Sequence, residues 1–446
     1  MASVMWFRRD LRLTDNAALA SAVAEDPQVV PLFVLDRALW DPAGQARRAH
    51  LVASLTDLGE RIGGLQVRRG DPVEEVVSVA RAAAASRVHI SEDFGPYGRR
   101  RDELVEAALA RHDIELVRSD TPYAVPPGSV LNGSGDPYQV FTPFSHAWSE
   151  RGWPAPIDVA QTPNWTRPLK SHGLYDVPPA AGLRLPAAGE AAARGRWADF
   201  LQHRLHDYGN ARNRPDLDRT SRMSVHLKWG EIHPRTMLAD LAARGDDDAA
   251  RYRTELAWRE FYADVLWRRP ESARAYLKPE FARMEYDAPD DRFAAWCDGT
   301  TGYPIVDAGM RQLRTEGWMH NRVRMIVASF LVKDLHIEWQ HGASHFMKHL
   351  VDGDLASNQH GWQWTAGCGT DAAPYFRIFN PTTQGQRFDP EGDYVRRHVP
   401  ELRGWDVATI HEPWKNGSGP PDYPRPIVDH AHERRESLRR FEEIKR

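Results

Sequence analysis

The chain has 446 residues, 41% of them hydrophobic and 27% charged, and a formal net charge of -4. At roughly 100 to 200 residues per domain, that length predicts two or three domains and enough core to enclose a large cofactor; no apolar run is long enough to span a membrane as a helix. Two cysteines, Cys297 and Cys368, exclude a disulfide framework and a four-cysteine metal or iron–sulfur site, and the charge balance confines any nucleic-acid binding to a local basic patch.

Short apolar runs at residues 4–7, 29–35, 65–67, 88–90 and 114–117 alternate with helical stretches, which predicts five strands with helices between them. Asp71-Pro72 ahead of an Ala/Val/Glu-rich segment reads as a helix start, Asp as N-cap and Pro at the first helical position. The expected fold over residues 1–125 is therefore a Rossmann-like α/β domain with a five-stranded parallel sheet. No G-x-G-x-x-G follows the first strand and no P-loop appears, which leaves the strand ends as the sheet's binding place. Residues 126–190 are rich in Pro and Gly, with turn signals such as Asn132-Gly-Ser-Gly-Asp-Pro137, and read as an interdomain linker. From residue 191 to 446 the periodicity is helical, as in Trp197, Phe200, Leu201, Leu205 and Tyr208, and predicts an all-α domain. Between Arg251 and Arg283 eight Lys or Arg accompany five Asp or Glu, a modest basic excess that a solvated helix face explains equally well. The amino terminus carries charge at Trp6-Phe-Arg-Arg-Asp-Leu-Arg where a signal peptide has its apolar segment, so a cytoplasmic protein is expected. A monomer is expected as well.

The segment from Asp352 to Trp364 (Asp-Gly-Asp-Leu-Ala-Ser-Asn-Gln-His-Gly-Trp-Gln-Trp) brings two carboxylates, Asp352 and Asp354, together with Asn358, Trp362 and Trp364. Such groups are costly to bury without partners, and a polar planar ligand would supply them, with an indole as stacking wall. Two capping aspartates and two core tryptophans are the structural alternative. His341, His345 and His349 recur every four residues without a matching Cys or carboxylate, a solvated or DNA-facing stripe more than a metal site.

Around that segment stand Gly302-Tyr-Pro-Ile-Val-Asp-Ala-Gly-Met-Arg311, Gly317-Trp-Met-His-Asn-Arg-Val-Arg-Met325, Phe330-Leu-Val-Lys-Asp334, Glu255-Leu-Ala-Trp258 and Thr220-Ser-Arg-Met-Ser-Val-His-Leu227. With Trp6 to Asn16, these motifs resemble the photolyase/cryptochrome family over nearly the whole chain, closest to the class I cyclobutane pyrimidine dimer photolyases. The resemblance implies FAD bound in the helical domain. Tyr208 and Thr220, Ser221, Arg222, Met223 and Ser224 would hold its pyrophosphate, Arg324, Asp352, Gly353 and Asp354 would flank the ring, and Asn358 would face flavin N5. It implies DNA containing pyrimidine dimers as partner, the dimer flipped out of the duplex onto Glu255, Trp258, Asn321, Met325 and Trp364. The resemblance implies Arg212, Arg322 and Gln384 as further DNA contacts.

Trp362 and Trp339 match the first two members of the family's electron-carrying tryptophans, and the third position aligns with Tyr286, a departure. Asp93-Phe-Gly-Pro-Tyr-Gly-Arg-Arg-Arg-Asp102, with Arg47 and Lys228, resembles the antenna site of members that bind 8-hydroxy-5-deazaflavin; folate-binding members carry an Asn-Glu pair where this chain has Tyr97-Gly98. Repair of cyclobutane dimers by light-driven electron transfer from reduced FAD is the implied activity, that of a deoxyribodipyrimidine photo-lyase. A cryptochrome-like blue-light photoreceptor is the alternative, against which stand Asn358, Met325 and the absence of a long C-terminal extension.

Overall fold

The computed structural model describes residues 2–159, 162–178, 180–371, 376–415, 417 and 419–445. They form two compact units, residues 1–180, 185–205 and 221–270 in the first and residues 181–184, 206–220 and 271–446 in the second. These units divide the chain elsewhere than the sequence-derived boundaries at 125 and 190. The helices Glu190–His203, Ser224–Trp229, Pro234–Arg244 and Asp247–Arg268 cluster with the sheet.

In the first unit the strands Ser3–Phe7 (β1), Gln28–Asp36 (β2), Gln66–Gly70 (β3), Arg87–Ser91 (β4) and Glu115–Asp120 (β5) form a parallel sheet in the order β3-β2-β1-β4-β5. Alternate residues feed two cores. Val4, Trp6, Val30, Leu32 and Val34 pack on one face, and Met5, Phe7, Val29, Phe33 and Leu35 on the other. Burial on both faces is why these strands read as continuous apolar runs. The expected cap is present: Asp71 accepts from the Val73 amide at 2.7 Å, with Pro72 opening the helix Pro72–Ala82.

The stretch expected as a linker contains more structure than its Pro/Gly content suggested. Residues Asn164–Trp165 (β6) pair with the first two residues of β2, and Phe141–Arg151 is a helix. Phe141, Phe144 and Trp148 recur on its buried face, a helical spacing that turn-rich flanks obscure. Trp148 Nε1 donates to Glu260 Oε2 at 2.6 Å, and the Val125 amide donates to the same oxygen at 3.0 Å. Glu260 thereby ties the segment after β5 and this helix to the helix Asp247–Arg268.

Burial pushes the Glu260 pKa up to about 7 from its ordinary value of 4.5. Between those values the folded protein holds a proton that the unfolded chain has released. Stability should therefore fall as pH rises through that window, by at most about 1.4 kcal/mol per pH unit. Urea unfolding across the window should show this slope, and Glu260→Gln should flatten it; an unchanged slope in the variant would assign the proton to another group.

The second unit is helical. Its core packs Pro304–Glu316, Asn321–Lys333, Trp339–His349 and Leu355–Ala366 through Val306, Met310, Val327, Phe330, Trp339 and Phe346. Buried Asp307 accepts from the Thr301 amide at 2.7 Å, the Thr301 hydroxyl at 2.6 Å and the Gly302 amide at 3.0 Å, so one carboxylate fixes the entry to the first of these helices. No described helix is long and apolar enough to cross a membrane.

Candidate cofactor and DNA sites

Within the second unit, the loop preceding the helix Leu355–Ala366 carries Asp352, Gly353 and Asp354. The Asp352 side chain is 1% exposed, and its Oδ2 meets Arg324 Nη2 at 2.8 Å. Arg324 is oriented by a second bond, Nε to the Met319 carbonyl at 2.8 Å. Asp354 is the N-cap of the helix, accepting from the Ser357 amide at 3.0 Å, so the capping alternative holds for this residue. One turn on, Asn358 Nδ2 donates to the Ala343 carbonyl at 3.1 Å and to Gln359 Oε1 at 2.8 Å. Both amide hydrogens are engaged in this arrangement, so the side chain offers its carbonyl oxygen as an acceptor.

Tyr208 is buried at the start of the short helix Tyr208–Ala211, and Thr220 Oγ1 is buried with no hydrogen-bond partner among the described residues. The boundary between the units falls directly after Thr220, inside the expected phosphate loop. In the first unit, Ser221 Oγ meets the Tyr252 hydroxyl at 2.7 Å and accepts from the Met223 amide at 3.2 Å. Arg222 has φ of +55°, a left-handed conformation costly for a residue with a Cβ, and Ser224 opens the next helix.

Trp339 and Trp362 lie in the core of the second unit, at 0% and 3% exposure. Their Nε1 atoms have no hydrogen-bond partner among the described residues. A Cβ on Gly342 would stand 2.2 Å from Trp362 Cη2, so the absence of a side chain lets that ring lie on the helix carrying Trp339. Tyr286 is half-buried, and its ring contact is to Tyr276, centroids 6.4 Å apart; Tyr276 in turn meets Trp339 at 6.2 Å. Sequence reasoning did not single out Tyr276.

The expected DNA contacts fall in both units. In the second, Arg322 donates to Asn213 Oδ1 from Nη2 at 2.8 Å, and its guanidinium lies 4.6 Å from the Phe388 ring centre. Burial lowers its pKa to about 10, helped by the charges of Arg212, Arg387 and Arg377. Asn321 is exposed at the start of the same helix, Met325 lies one turn further with its Sδ 3.7 Å from Arg322 Nη1, and Gln384 is half-buried one turn before Arg387. Trp364 is half-buried, its Nε1 donating to the Asp371 carbonyl at 3.1 Å. Asn213, Arg377 and Arg387 were missed; only Arg387, spaced i+3 from Gln384, carried a sequence signal.

In the first unit, Glu255 and Trp258 are half-buried on the helix Asp247–Arg268. Trp258 stacks on Phe141 with centroids 3.6 Å apart and planes 6° off parallel. One indole face is therefore taken, by a residue that sequence reasoning had placed in a linker.

Arg47, Asp93 and Lys228 all belong to the first unit. Asp93 Oδ1 accepts from the Gly95 amide at 3.1 Å and Oδ2 pairs with Arg101 at 3.4 Å. Burial alone would raise its pKa, but Arg101, Arg9 and Arg8 outweigh that and hold it below the ordinary carboxylate range. Gly98 is required beside it, since a Cβ there would stand 2.1 Å from Asp93 Cγ. Arg47 Nε is buried without a hydrogen-bond partner among the described residues, and burial, with Arg48, lowers its pKa. The Tyr97 hydroxyl donates to Asp36 Oδ2 at 2.5 Å, at the end of β2.

Two histidine groups invite a metal reading. The His345 and His349 rings lie tilted with centroids 4.5 Å apart, and burial lowers the His345 pKa to about 3, so this pair is packed and not a solvated stripe. Buried His50 and His226 both meet Glu231, at 3.2 and 2.5 Å. Their far nitrogens, His50 Nδ1 and His226 Nε2, have no partner among the described residues. A ligating imidazole holds its far N–H in a second hydrogen bond, so this group acts as a buried carboxylate clamp.

Comparison with known proteins gives the family. A family model described as DNA photolyase matches residues 3–164, and one described as the FAD binding domain of DNA photolyase matches residues 252–443. A deoxyribodipyrimidine photo-lyase from Streptomyces griseus is 41% identical, with 97% of each chain covered. A crystal structure of a bacterial class III photolyase from Agrobacterium tumefaciens has a TM-score of 0.92 at 35% identity, covering 100% of this chain and 98% of that one. A Synechocystis cryptochrome structure has a TM-score of 0.90 at 27% identity, with 98% of each covered. A parallel α/β part and a helical FAD-binding part define the class, that of photolyase and cryptochrome structures. Within it, the chain belongs to the DNA photolyase family.

Proposed function

We propose that this protein repairs cyclobutane pyrimidine dimers in DNA, using light absorbed by bound FAD. The observation that carries the DNA reading is half-buried Arg322, held by Asn213 and the Phe388 ring, whose pKa is lowered first by burial and then by the charges of Arg212, Arg387 and Arg377. Like charges packed this way are costly unless an anion relieves them, and phosphates do so.

The residues suit the flavin. Thr220 Oγ1 is a buried hydroxyl available to a phosphate oxygen, the Arg324–Asp352 pair offers a donor and an acceptor to a polar ring edge, and Asn358 offers a carbonyl acceptor that favours a protonated flavin N5. Tyr208, Arg222, Met223, Ser224, Gly353 and Asp354 complete the set. FAD, when bound and fully reduced, supplies the photoexcited electron that opens the cyclobutane ring. The protein binds and orients the dimer.

Extruding two nucleotides costs a few kcal/mol each, and stacking on an aromatic returns roughly 1 to 3 kcal/mol per base. Trp258 and Trp364 provide stacking faces, Trp258 with its other face braced by Phe141. Glu255 and Asn321 supply hydrogen bonds to the base edges, Met325 an apolar wall, and Arg212, Arg322 and Gln384 the backbone contacts. Trp362 and Trp339 carry electrons inward to reduce oxidised flavin.

For the antenna, Arg47 with its unpartnered Nε, Asp93 and Lys228 favour 8-hydroxy-5-deazaflavin over folate. The motifs resemble those of class I, and the 0.92 TM-score to a class III structure supports class III as the second reading of the subtype. Mass spectrometry of chromophores released from the purified holoprotein decides the antenna, and folate without deazaflavin would end the deazaflavin assignment.

The test of function is blue-light repair of a thymine-dimer oligonucleotide by chemically reduced protein, with a dark control and Glu255→Ala. Light-dependent loss of dimers, reduced in the variant, is the expected result. Tight FAD binding with no repair would instead indicate a photoreceptor.

A further inference from the structure

We propose that Tyr276 is the residue that reduces Trp339 during light-driven reduction of the flavin, passing its proton to Glu338 as it does so. The inference rests on the reading of Trp362 and Trp339 as the electron path, and it replaces Tyr286, the residue that the family resemblance put in the terminal position, with a neighbour.

Three observations within the second unit carry it. The first is contact: the Tyr276 ring meets Trp339 edge to face, centroids 6.2 Å apart and planes at 83°, whereas the Tyr286 ring contact is to Tyr276. Tyr276 therefore stands between Trp339 and Tyr286. The second is a proton acceptor: the Tyr276 hydroxyl donates to Glu338 Oε1 at 2.8 Å, and Glu338 immediately precedes Trp339. The third is the contrast with the indoles. Trp339 Nε1 and Trp362 Nε1 are buried with no hydrogen-bond partner among the described residues. An oxidised indole there has no base to take its proton, so it stays a radical cation and passes the hole on. At Tyr276 the hole meets a base and is trapped as a neutral radical.

The step balances as follows. With oxidised FAD bound and photoexcited, Trp362 would give it one electron and take one from Trp339. Tyr276 gives one electron to the Trp339 radical cation; its O–H bond breaks, and the proton crosses to the Glu338 carboxylate. The products are neutral Trp339, a neutral Tyr276 phenoxyl and protonated Glu338. An external thiolate then gives one electron to the phenoxyl and becomes a thiyl radical, and the phenolate oxygen recovers its proton from Glu338.

The experiment is light-induced electron paramagnetic resonance and transient absorption on the FAD-loaded, oxidised protein. Wild type should give a neutral tyrosyl signal whose formation slows in heavy water. Tyr276→Phe, which removes only the hydroxyl, should lose that signal and leave a tryptophan radical that recombines. Tyr286→Phe should keep the signal, and Glu338→Gln should lower its yield and abolish the solvent isotope effect. FAD content and thermal midpoint of each variant report folding. A tyrosyl signal unchanged in Tyr276→Phe, or lost in Tyr286→Phe alone, would overturn the assignment. A signal that survives in Trp362→Phe would overturn the path beneath it. Repair by chemically reduced protein needs no tyrosine, so failure to repair beside a normal tyrosyl signal would sink the proposed function and leave this inference standing.

Discussion

Replacing Arg324 with Leu is expected to strip the purified protein of most of its FAD and to lower its thermal midpoint. The Asp352 carboxylate is 1% exposed, and its guanidinium partner lies 2.8 Å away. Removing one member of a buried ion pair typically costs about 3 to 5 kcal/mol, because the remaining charge stays out of water. The Arg324 side chain is 25% exposed, so the lower end, about 3 kcal/mol, is the better guide. The loss should appear as a reduced ratio of flavin to protein absorbance and an earlier unfolding transition. Arg324→Lys should fall between the two, since an ammonium can face the carboxylate but cannot also hold the Met319 carbonyl in the same fork. Wild-type flavin content in Arg324→Leu would remove this pair from the cofactor site.

The second large effect is expected on DNA binding. Arg212→Ala combined with Arg322→Ala should weaken binding to damaged and undamaged duplexes alike, by about 100-fold if each charged contact contributes about 1.5 kcal/mol. The log–log dependence of affinity on salt should become shallower by about 1.8, two phosphate contacts at about 0.9 each. Arg322 is held in advance by Asn213 and by the Phe388 ring, so little ordering cost is recovered when it is removed. Trp258→Ala should behave differently. It deletes a stacking face and should reduce the preference for dimer-containing DNA while leaving the salt slope unchanged. A salt slope unaltered in the double arginine variant would mean that the phosphates are bound elsewhere.

The contrast between these predictions and the sequence reading lies in what each depends on. β1 and β2 were legible as apolar runs between turn signals, the composition that burial on both faces demands, whereas β3, Gln-Val-Arg-Arg-Gly, shows its buried residues only at its start. The cap at Asp71-Pro72 was legible because it involves neighbours in sequence. So was the cap at Asp354, one of two readings the residues themselves left open. The helix Phe141–Arg151 was obscured because its flanks are turn-rich and because its stability comes from Glu260, more than a hundred residues away, accepting from Trp148.

Residue types and local spacing by themselves determined the parallel α/β and helical parts and the absence of a cysteine framework, and the resemblance of the motifs to known proteins gave the family. Tertiary structure alone decided that Phe141 braces Trp258, that Arg377 and Arg387 crowd Arg322, and that Tyr276 lies between Trp339 and Tyr286. The physical reason is the range of the interactions. Strand patterning and capping act between near neighbours, and the chain writes them directly. Ring stacking, charge crowding and proton transfer act across a few ångströms between residues that only packing brings together.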